Sequence, residues 1–155
     1  MTHRDFTSSL TIFTGHEDPT KEDSALDYAR LAALPGTKVM LMGVDRLGPI
    51  TEVLQRHGMD PETPVALVRW GTTGRQRSIS GRLADIAQKV VESGFEAPAV
   101  AVFGQVTTLR DKLGWFEKRP LRGQRIVVTR TRQQAGVLSE RLRALGADVY
   151  ESVSY

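Results

Sequence analysis

The chain has 155 residues, of which 40% are hydrophobic and 25% are charged, and its formal net charge of +3 is unremarkable for a globular protein long enough to bury a core. No apolar run approaches the roughly 20 residues of a membrane-spanning helix, and the polar start MTHRDFTSSL lacks the apolar segment of a signal peptide, so we expect a cytoplasmic protein. The absence of cysteine excludes disulfides, thiolate metal ligands and cysteine nucleophiles, and His3, His16 and His57 lack metal-site spacing, so no metal is expected.

Four segments are predicted to be β-strands that run into turn residues, and TKVMLMG in particular is apolar at nearly every position. They are LTIFTGH (10–16), TKVMLMG (37–43), PVALVRWGT (64–72) and PAVAVFG (98–104). Strands without polar alternation are typical of a sheet that is covered on both faces.

Helical segments alternate with these strands. The segment SALDYARLAAL (24–34) is predicted to be a helix that Asp23 and Ser24 cap and that Pro35 stops. Three more helices are indicated by apolar residues at helical spacing: Leu47, Ile50 and Leu54; Leu83, Ile86, Ala87, Val90 and Val91; and Leu109 with Leu113. The alternation predicts the α/β class with a mostly buried sheet.

Three of the predicted strands end near a glycine, namely Gly15, Gly43 and Gly71. Ligands of open α/β sheets bind beyond the carboxyl ends of the strands, where a residue without Cβ allows close approach of the backbone. Glycine in a strand-to-helix turn is also ordinary turn chemistry, which we favour for any single one of the three.

The last segment of the chain is more basic than the rest. Residues 1–118 hold 14 Lys/Arg and 15 Asp/Glu, whereas residues 119–155 hold 7 and 3. Such a tail indicates a nucleic-acid contact, an acidic small substrate, or merely a solvated linker and helix face. It contains the pattern of a βαβ unit: RIVVTR, a helical stripe of Ala135, Leu138, Leu142 and Leu145, a cap at Gly146, and ADVYESV. A unit of this size cannot bury its own faces, so we expect it to be the start of an incomplete second α/β domain.

Four motifs in order resemble the carboxyl-terminal half of the uroporphyrinogen-III C-methyltransferases, which are tetrapyrrole methylases. They are TGHEDP (14–19), GTKVMLMGV (36–44), PVALVRWGTTGRQRSISGRLADI (64–86) and PAVAVFGQVTTLRDKLGWFE (98–117). The tail, GQRIVVTRTRQQAGVLSERLRALGADVYESVSY, looks like the amino-terminal part of uroporphyrinogen-III synthase. The resemblance implies a mixed sheet flanked by helices, and it divides the chain into a methylase part (1–118), a linker (119–124) and a synthase fragment (125–155).

The resemblance also implies site residues. Family members contact S-adenosyl-L-methionine at the positions of Met42 and Gly71, with Ala66, Thr72 and Thr73 as neighbours, although Met42 could instead pack in the core. Arg75 and Arg77 could bind the substrate carboxylates or lie on the surface of an edge strand. His16 and the pair His3–Arg4 are expected to be structural or to position the substrate. No catalytic residue is assigned, because the GxGPGDP-type loop of the family's amino-terminal half has no match here.

The reaction implied by the resemblance is methyl transfer from a sulfonium to two pyrrole carbons of uroporphyrinogen III. This yields precorrin-2 for sirohaem and cobalamin, and positioning is most of the catalytic task. A homodimer without nucleic-acid or membrane partners is implied, and the chain is expected to be an internal fragment of a fusion with negligible turnover by itself. Two alternatives stay open: a methylase of ribosomal RNA that uses the basic tail, and a non-catalytic dimerisation or partner module.

Overall fold

The computed structural model describes residues 1–20, 24–129 and 132–152, except for the side chains of 132–134. The chain divides into two compact units. The first comprises Met1–Arg69 and Ser78–Leu109, and the second comprises Trp70–Arg77 and Arg110–Tyr155. The turn that follows the third strand therefore belongs to the second unit, together with the basic tail.

A five-stranded mixed sheet forms the centre of the first unit. Its strands are β1 (Leu10–Thr14), β2 (Thr37–Leu41), β3 (Pro64–Arg69), β4 (Arg77–Arg82) and β5 (Ala99–Phe103). The order in the sheet is β1-β2-β5-β3-β4. β1 pairs with β2 in parallel, whereas β5 is antiparallel to both β2 and β3. The expected mixed sheet flanked by helices is confirmed.

Three helices supply the apolar residues that cover this sheet: α1 (Tyr28–Ala33), α2 (Leu47–Arg56) and α3 (Ile86–Glu92). The predicted stripe of α2 is confirmed, since Leu47, Ile50 and Leu54 are buried. Each large aliphatic side chain that is buried in this way contributes about 1.5–3 kcal/mol of transfer free energy. The α2 stripe therefore anchors the core.

Two helix predictions differ from the structure. Val91, predicted to face the core, is 80% exposed, because α3 begins at Ile86 and its inward face carries Ile86 and Val90. α1 begins later than predicted, because the Asp27 carboxylate accepts the Arg30 N–H at 2.9 Å and caps it. The Ser24 hydroxyl instead accepts the Leu26 N–H in the preceding turn. Asp23 lies outside the described residues.

The second unit contains a short helix, α4 (Arg110–Leu113), and a parallel pair of strands, β6 (Arg125–Val128) and β7 (Asp148–Glu151), joined by α5 (Arg132–Ala144). Gly146 has a φ of +98° and ends α5 as predicted. The predicted apolar stripe of α5 is only partly correct, because Ala135 is buried but Leu138 and Leu145 are exposed. Ser139, one helical turn after Ala135, is the next buried residue on the inward face. The helix therefore presents a narrower apolar face than the leucines suggest.

Lys38 is a cation in the interior of the first unit. It lies in β2, is 4% exposed, and its Nζ donates to the carbonyl oxygen of Leu34 at 2.6 Å. Burial lowers the pKa of Lys38 below its ordinary value of 10.5, because the charged form loses its hydration.

This burial predicts a pH dependence of stability. Between the lowered pKa of folded Lys38 and 10.5, the unfolded chain holds a proton that the folded chain has released, so the free energy of unfolding should rise with pH in that interval. Lys38→Met removes the titrating group, and we expect the rise to disappear. Urea unfolding of both proteins from neutral pH to the alkaline range measures it, with Lys112→Met as the exposed control. An equal slope in the parent and in Lys38→Met would show that Lys38 does not titrate in this way.

Candidate functional site

Three strands of the first unit end at the same edge of the sheet. β1 is parallel to β2, and both β2 and β3 are antiparallel to β5, so β1, β2 and β3 run in one direction. The carboxyl edge of an α/β sheet is where ligands usually bind. In this unit the edge carries Gly15 after β1, and Met42 with Gly43 after β2.

Gly15 and Gly43 are packed against each other. A Cβ placed on Gly15 would meet the Cα of Gly43, and it would lie 2.8 Å from the Sδ of Met40; a Cβ on Gly43 would lie 2.5 Å from that Sδ. The Gly15 N–H also donates to the Leu41 carbonyl at 2.7 Å. Contact between two backbones, rather than turn conformation alone, therefore explains why these two positions are glycine.

Met42 lies at this edge in a strained conformation. Its φ is +56°, in the left-handed region, and its side chain is 70% exposed. A non-glycine residue in that region costs on the order of 1–2 kcal/mol. The core-packing alternative for Met42 is wrong, since the buried methionine of this strand is Met40. Ala66, in contrast, is buried within β3, where it pairs with Val102 of β5.

The edge also presents backbone donors. In the part of the chain that the structure describes, the N–H groups of Met42 and Gly43 have no hydrogen-bond acceptor, and Gly43 is buried. Buried N–H groups are nearly always paired, so an unpaired donor needs an explanation. These donors beside an exposed thioether fit a ligand that combines an apolar ring with polar oxygens.

The loop after β1 adds charged groups to the first unit. Arg46 Nη1 lies 4.0 Å from Asp18 Oδ2, and His16 is exposed, with its backbone N–H donating to the Thr14 hydroxyl. Tyr28 is buried, and within the described ranges its hydroxyl has no hydrogen-bond partner. Burial, assisted by Glu17, raises the pKa of Tyr28, so its phenol stays protonated at neutral pH.

The turn Trp70–Arg77 lies in the second unit. Trp70 has a φ of +47° and Thr72 a φ of +66°, which is unusual for a bulky residue and for a β-branched one. The Gln76 amide oxygen accepts the Thr72 N–H at 2.7 Å, and the Thr73 hydroxyl donates to the Trp70 carbonyl at 2.8 Å. Gly71 and Thr72 are exposed, whereas the Thr73 hydroxyl already has a partner within the turn.

The predicted substrate arginines have different surroundings. Arg75 Nε lies 3.2 Å from Asp148 Oδ2, and its guanidinium stacks on the Trp70 ring at 4.6 Å. Arg77 begins β4 and is exposed. Arg75 would have to exchange an existing ion pair to bind a carboxylate. The sequence did not indicate this pair, because Asp148 is far from Arg75 along the chain.

The predicted site residues are divided between the two units. Met42 and Ala66 belong to the first, and Gly71, Thr72, Thr73, Arg75 and Arg77 belong to the second. Sequence reasoning missed Trp70 and Gln76, whose roles depend on the conformation of the turn. Among the described residues, no group of three or more His, Asp or Glu side chains could hold a metal ion, and no helix is long and apolar enough to cross a bilayer.

The Gly15–Gly43 contact predicts a sharp sensitivity to one methyl group. Gly15→Ala should lower the free energy of unfolding by about 1–3 kcal/mol, because its Cβ would overlap the Gly43 backbone. Gly48→Ala in α2 is the matched control, since a Cβ there meets only the Ala87 Cβ at 4.0 Å. It should stabilise the chain by roughly 0.5–1 kcal/mol through helix propensity. Denaturant unfolding measures both variants, and similar effects of the two would contradict the packing argument.

Comparisons with known proteins agree with this architecture. Residues 1–87, more than half of the chain, match the family described as tetrapyrrole (corrin/porphyrin) methylases. An S-adenosyl-L-methionine-dependent uroporphyrinogen III methyltransferase of Methanosarcina barkeri is 51% identical over 114 residues, which cover 74% of this chain and 45% of the relative. A uroporphyrinogen-III C-methyltransferase of Bacillus subtilis is 39% identical over 151 residues, which cover 97% of this chain and 31% of the relative.

A solved structure is also similar to this chain. The uroporphyrin-III C-methyl transferase of Thermus thermophilus, complexed with S-adenyl homocysteine, has a TM-score of 0.57 and 31% identity. The similarity covers 70% of this chain and 47% of that protein. The chain thus spans less than half the length of each of these relatives. The matched family, the level of identity and the shared fold together show that this chain belongs to the tetrapyrrole (corrin/porphyrin) methylases.

Proposed function

We propose that this chain is part of an S-adenosyl-L-methionine-dependent uroporphyrinogen-III C-methyltransferase that forms precorrin-2 for sirohaem and cobalamin. The observation that carries the proposal is the 51% identity over 114 residues to the Methanosarcina barkeri enzyme of that description. The proposed enzyme is cytoplasmic and homodimeric, and it needs no nucleic-acid or membrane partner.

The carboxyl edge of the first unit supports a role in binding the methyl donor. Met42 offers an exposed thioether, and the unpaired N–H groups of Met42 and Gly43 offer donors for ribose or carboxylate oxygens. The strain at Met42 favours the same interpretation, because strained non-glycine residues cluster at ligand-binding sites. Ala66 is the proposed neighbour inside β3, where it is buried.

Three residues of the second unit are proposed contacts for the same donor. Gly71 lacks a side chain, and Thr72 is held in a left-handed conformation by Gln76. Thr73 is proposed as a neighbour of the donor, and both its hydroxyl and its N–H donate to the Trp70 carbonyl and hold the turn. Arg75 and Arg77 are proposed to face the carboxylates of uroporphyrinogen III, Arg75 by exchange with Asp148.

In the proposed reaction, this chain positions the methyl donor and the substrate and supplies no acid–base group. S-adenosyl-L-methionine supplies a methyl group on a sulfonium, which already carries its leaving group. The residues named above bind and orient, and precise orientation of two reactants can supply several kcal/mol of the barrier, roughly 7–11 in model reactions. We assign proton transfer to none of them, and we propose that the chain alone has negligible turnover.

We further propose that residues 1–118 form the carboxyl-terminal half of the methylase, that 119–124 are a linker, and that 125–155 begin a uroporphyrinogen-III synthase domain. The similarity to the Bacillus subtilis relative supports continuity, since it extends over 97% of this chain. The parallel β6–α5–β7 arrangement is the expected start of an α/β domain. Val127, Val137 and Leu145 are exposed, as expected for apolar surfaces that further chain would cover.

A chimaera tests the proposed activity. The part of the Methanosarcina barkeri relative that this chain does not match is fused to the front of residues 1–155. We expect this protein to convert uroporphyrinogen III and S-adenosyl-L-methionine into precorrin-2, whereas the 155-residue chain should show no product above background. Methylated product is measured by absorbance and mass spectrometry. Precorrin-2 formation by the chain alone would contradict the fragment proposal, and an inactive, folded chimaera would contradict the methyltransferase proposal.

Met42→Ala in the same chimaera tests the donor site. We expect S-adenosylhomocysteine to bind about tenfold more weakly, because a side chain that packs on an apolar ring typically contributes about 1.5 kcal/mol or more. Leu41→Ala is the matched control, since Leu41 is the preceding residue and is also exposed but lies in regular strand conformation. Isothermal titration calorimetry measures both, and equal affinities of the two variants would remove Met42 from the site.

A further inference from the structure

A cleft within the second unit is lined by four arginines and an aromatic ring. Arg75, Arg77, Arg122 and Arg125 lie around it with Trp70, and among the described residues no acidic side chain lines it. Arginine is protonated at every physiological pH, so the walls of this cleft carry a concentrated positive charge.

The cleft is held by main-chain contacts. The Gly123 N–H donates to the Gly74 carbonyl at 2.9 Å, and Arg122 Nη2 donates to the Gln76 carbonyl at 3.3 Å. Gly74 is itself packed tightly, since a Cβ there would meet the N of Asp148 and would lie 2.6 Å from the carbonyl carbon of Ala147. The turn 70–77 and residues 122–125 thus form one preorganised wall.

Nearby acidic groups do not neutralise the whole cleft. Asp148 is paired with Arg75 at 3.2 Å, and Glu117 is paired with Arg110 at 3.2 Å while it accepts a hydrogen bond from Gln76. In the part of the chain that the structure describes, neither Arg122 nor Arg125 forms an ion pair. The Arg125 guanidinium, and the N–H groups of Arg122 that do not donate to Gln76, therefore remain available to an anionic ligand.

We propose that this cleft binds a small polycarboxylate through Arg122 and Arg125. The proposal rests on the proposed function for the identity of the ligand, which is then a uroporphyrinogen-type macrocycle whose rim carries carboxylates. Planar guanidinium groups bind carboxylates through paired hydrogen bonds, and the Trp70 ring provides an apolar surface beside them. The site unites residues on both sides of the proposed linker, and it extends the proposed substrate contacts of Arg75 and Arg77 to Arg122 and Arg125.

The double variant Arg122→Gln/Arg125→Gln in the 155-residue chain tests the site. Uroporphyrin III, the stable oxidised macrocycle, is the probe, and its fluorescence anisotropy reports binding. We expect the double variant to bind uroporphyrin III at least about tenfold more weakly than the parent, because the loss of one hydrogen bond to a charged group is enough for such a change. Competition by benzene hexacarboxylate in the parent separates carboxylate recognition from binding of the macrocycle ring. Arg56→Gln, at the exposed end of α2, is the charge-matched control and should bind like the parent.

The single variant Arg125→Gln is the control for misfolding, because no hydrogen bond of the Arg125 side chain contributes to the described structure. It should weaken uroporphyrin binding while circular dichroism and thermal unfolding match the parent. Unchanged affinity in the double variant overturns the proposal, and so does tighter binding of a structured RNA than of uroporphyrin at equal salt. The chimaera assay separates the two proposals. If the chimaera is active and the arginine variants bind uroporphyrin like the parent, the cleft proposal is refuted and the methyltransferase proposal stands.

Discussion

The contact between the backbones of Gly15 and Gly43 is the constraint on which the first unit depends most. β1 is an edge strand that pairs only with β2 in the described sheet, and Leu10 and Ile12 on it are exposed. The close approach at the strand ends, closed by the hydrogen bond from Gly15 to Leu41, fixes β1 against the buried Met40. Because no side chain separates these two backbones, the loop after β1 and the turn after β2 share one edge of the sheet.

Backbone strain occurs beside this contact, at Met42, and again in the second unit, at Trp70 and Thr72. Each of these residues adopts a left-handed conformation that glycine would adopt at lower cost. Met42 is followed by the tightly packed Gly43, and the Gln76 amide oxygen accepts a hydrogen bond from the Thr72 N–H. A residue that keeps a large side chain in such a conformation presents that side chain in a fixed direction, which is useful at a ligand-binding edge.

The structure divides the basic residues of the tail into groups with different surroundings. Arg119 stacks on Trp115 at 4.5 Å, and Arg143 pairs with Glu151 at 3.1 Å, so for these the solvated or structural interpretation suffices. Arg122 and Arg125 instead face the cleft beside Trp70. The charge asymmetry of the sequence thus contains both ordinary surface arginines and a candidate anion-binding wall, which composition alone could not separate.

The sequence by itself determined those features that depend on residues close together along the chain. Apolar runs predicted β2 and β3, helical spacing predicted α2, Gly146 predicted the end of α5, and ordered motifs such as TGHEDP predicted the family. Only the tertiary structure decided the insertion of β5 between β2 and β3, the exposure of Val91, the contact of Gly15 with Gly43, and the pairing of Arg75 with Asp148. Strand order, burial and ion pairs depend on contacts between residues far apart in the chain, and local periodicity carries no information about them.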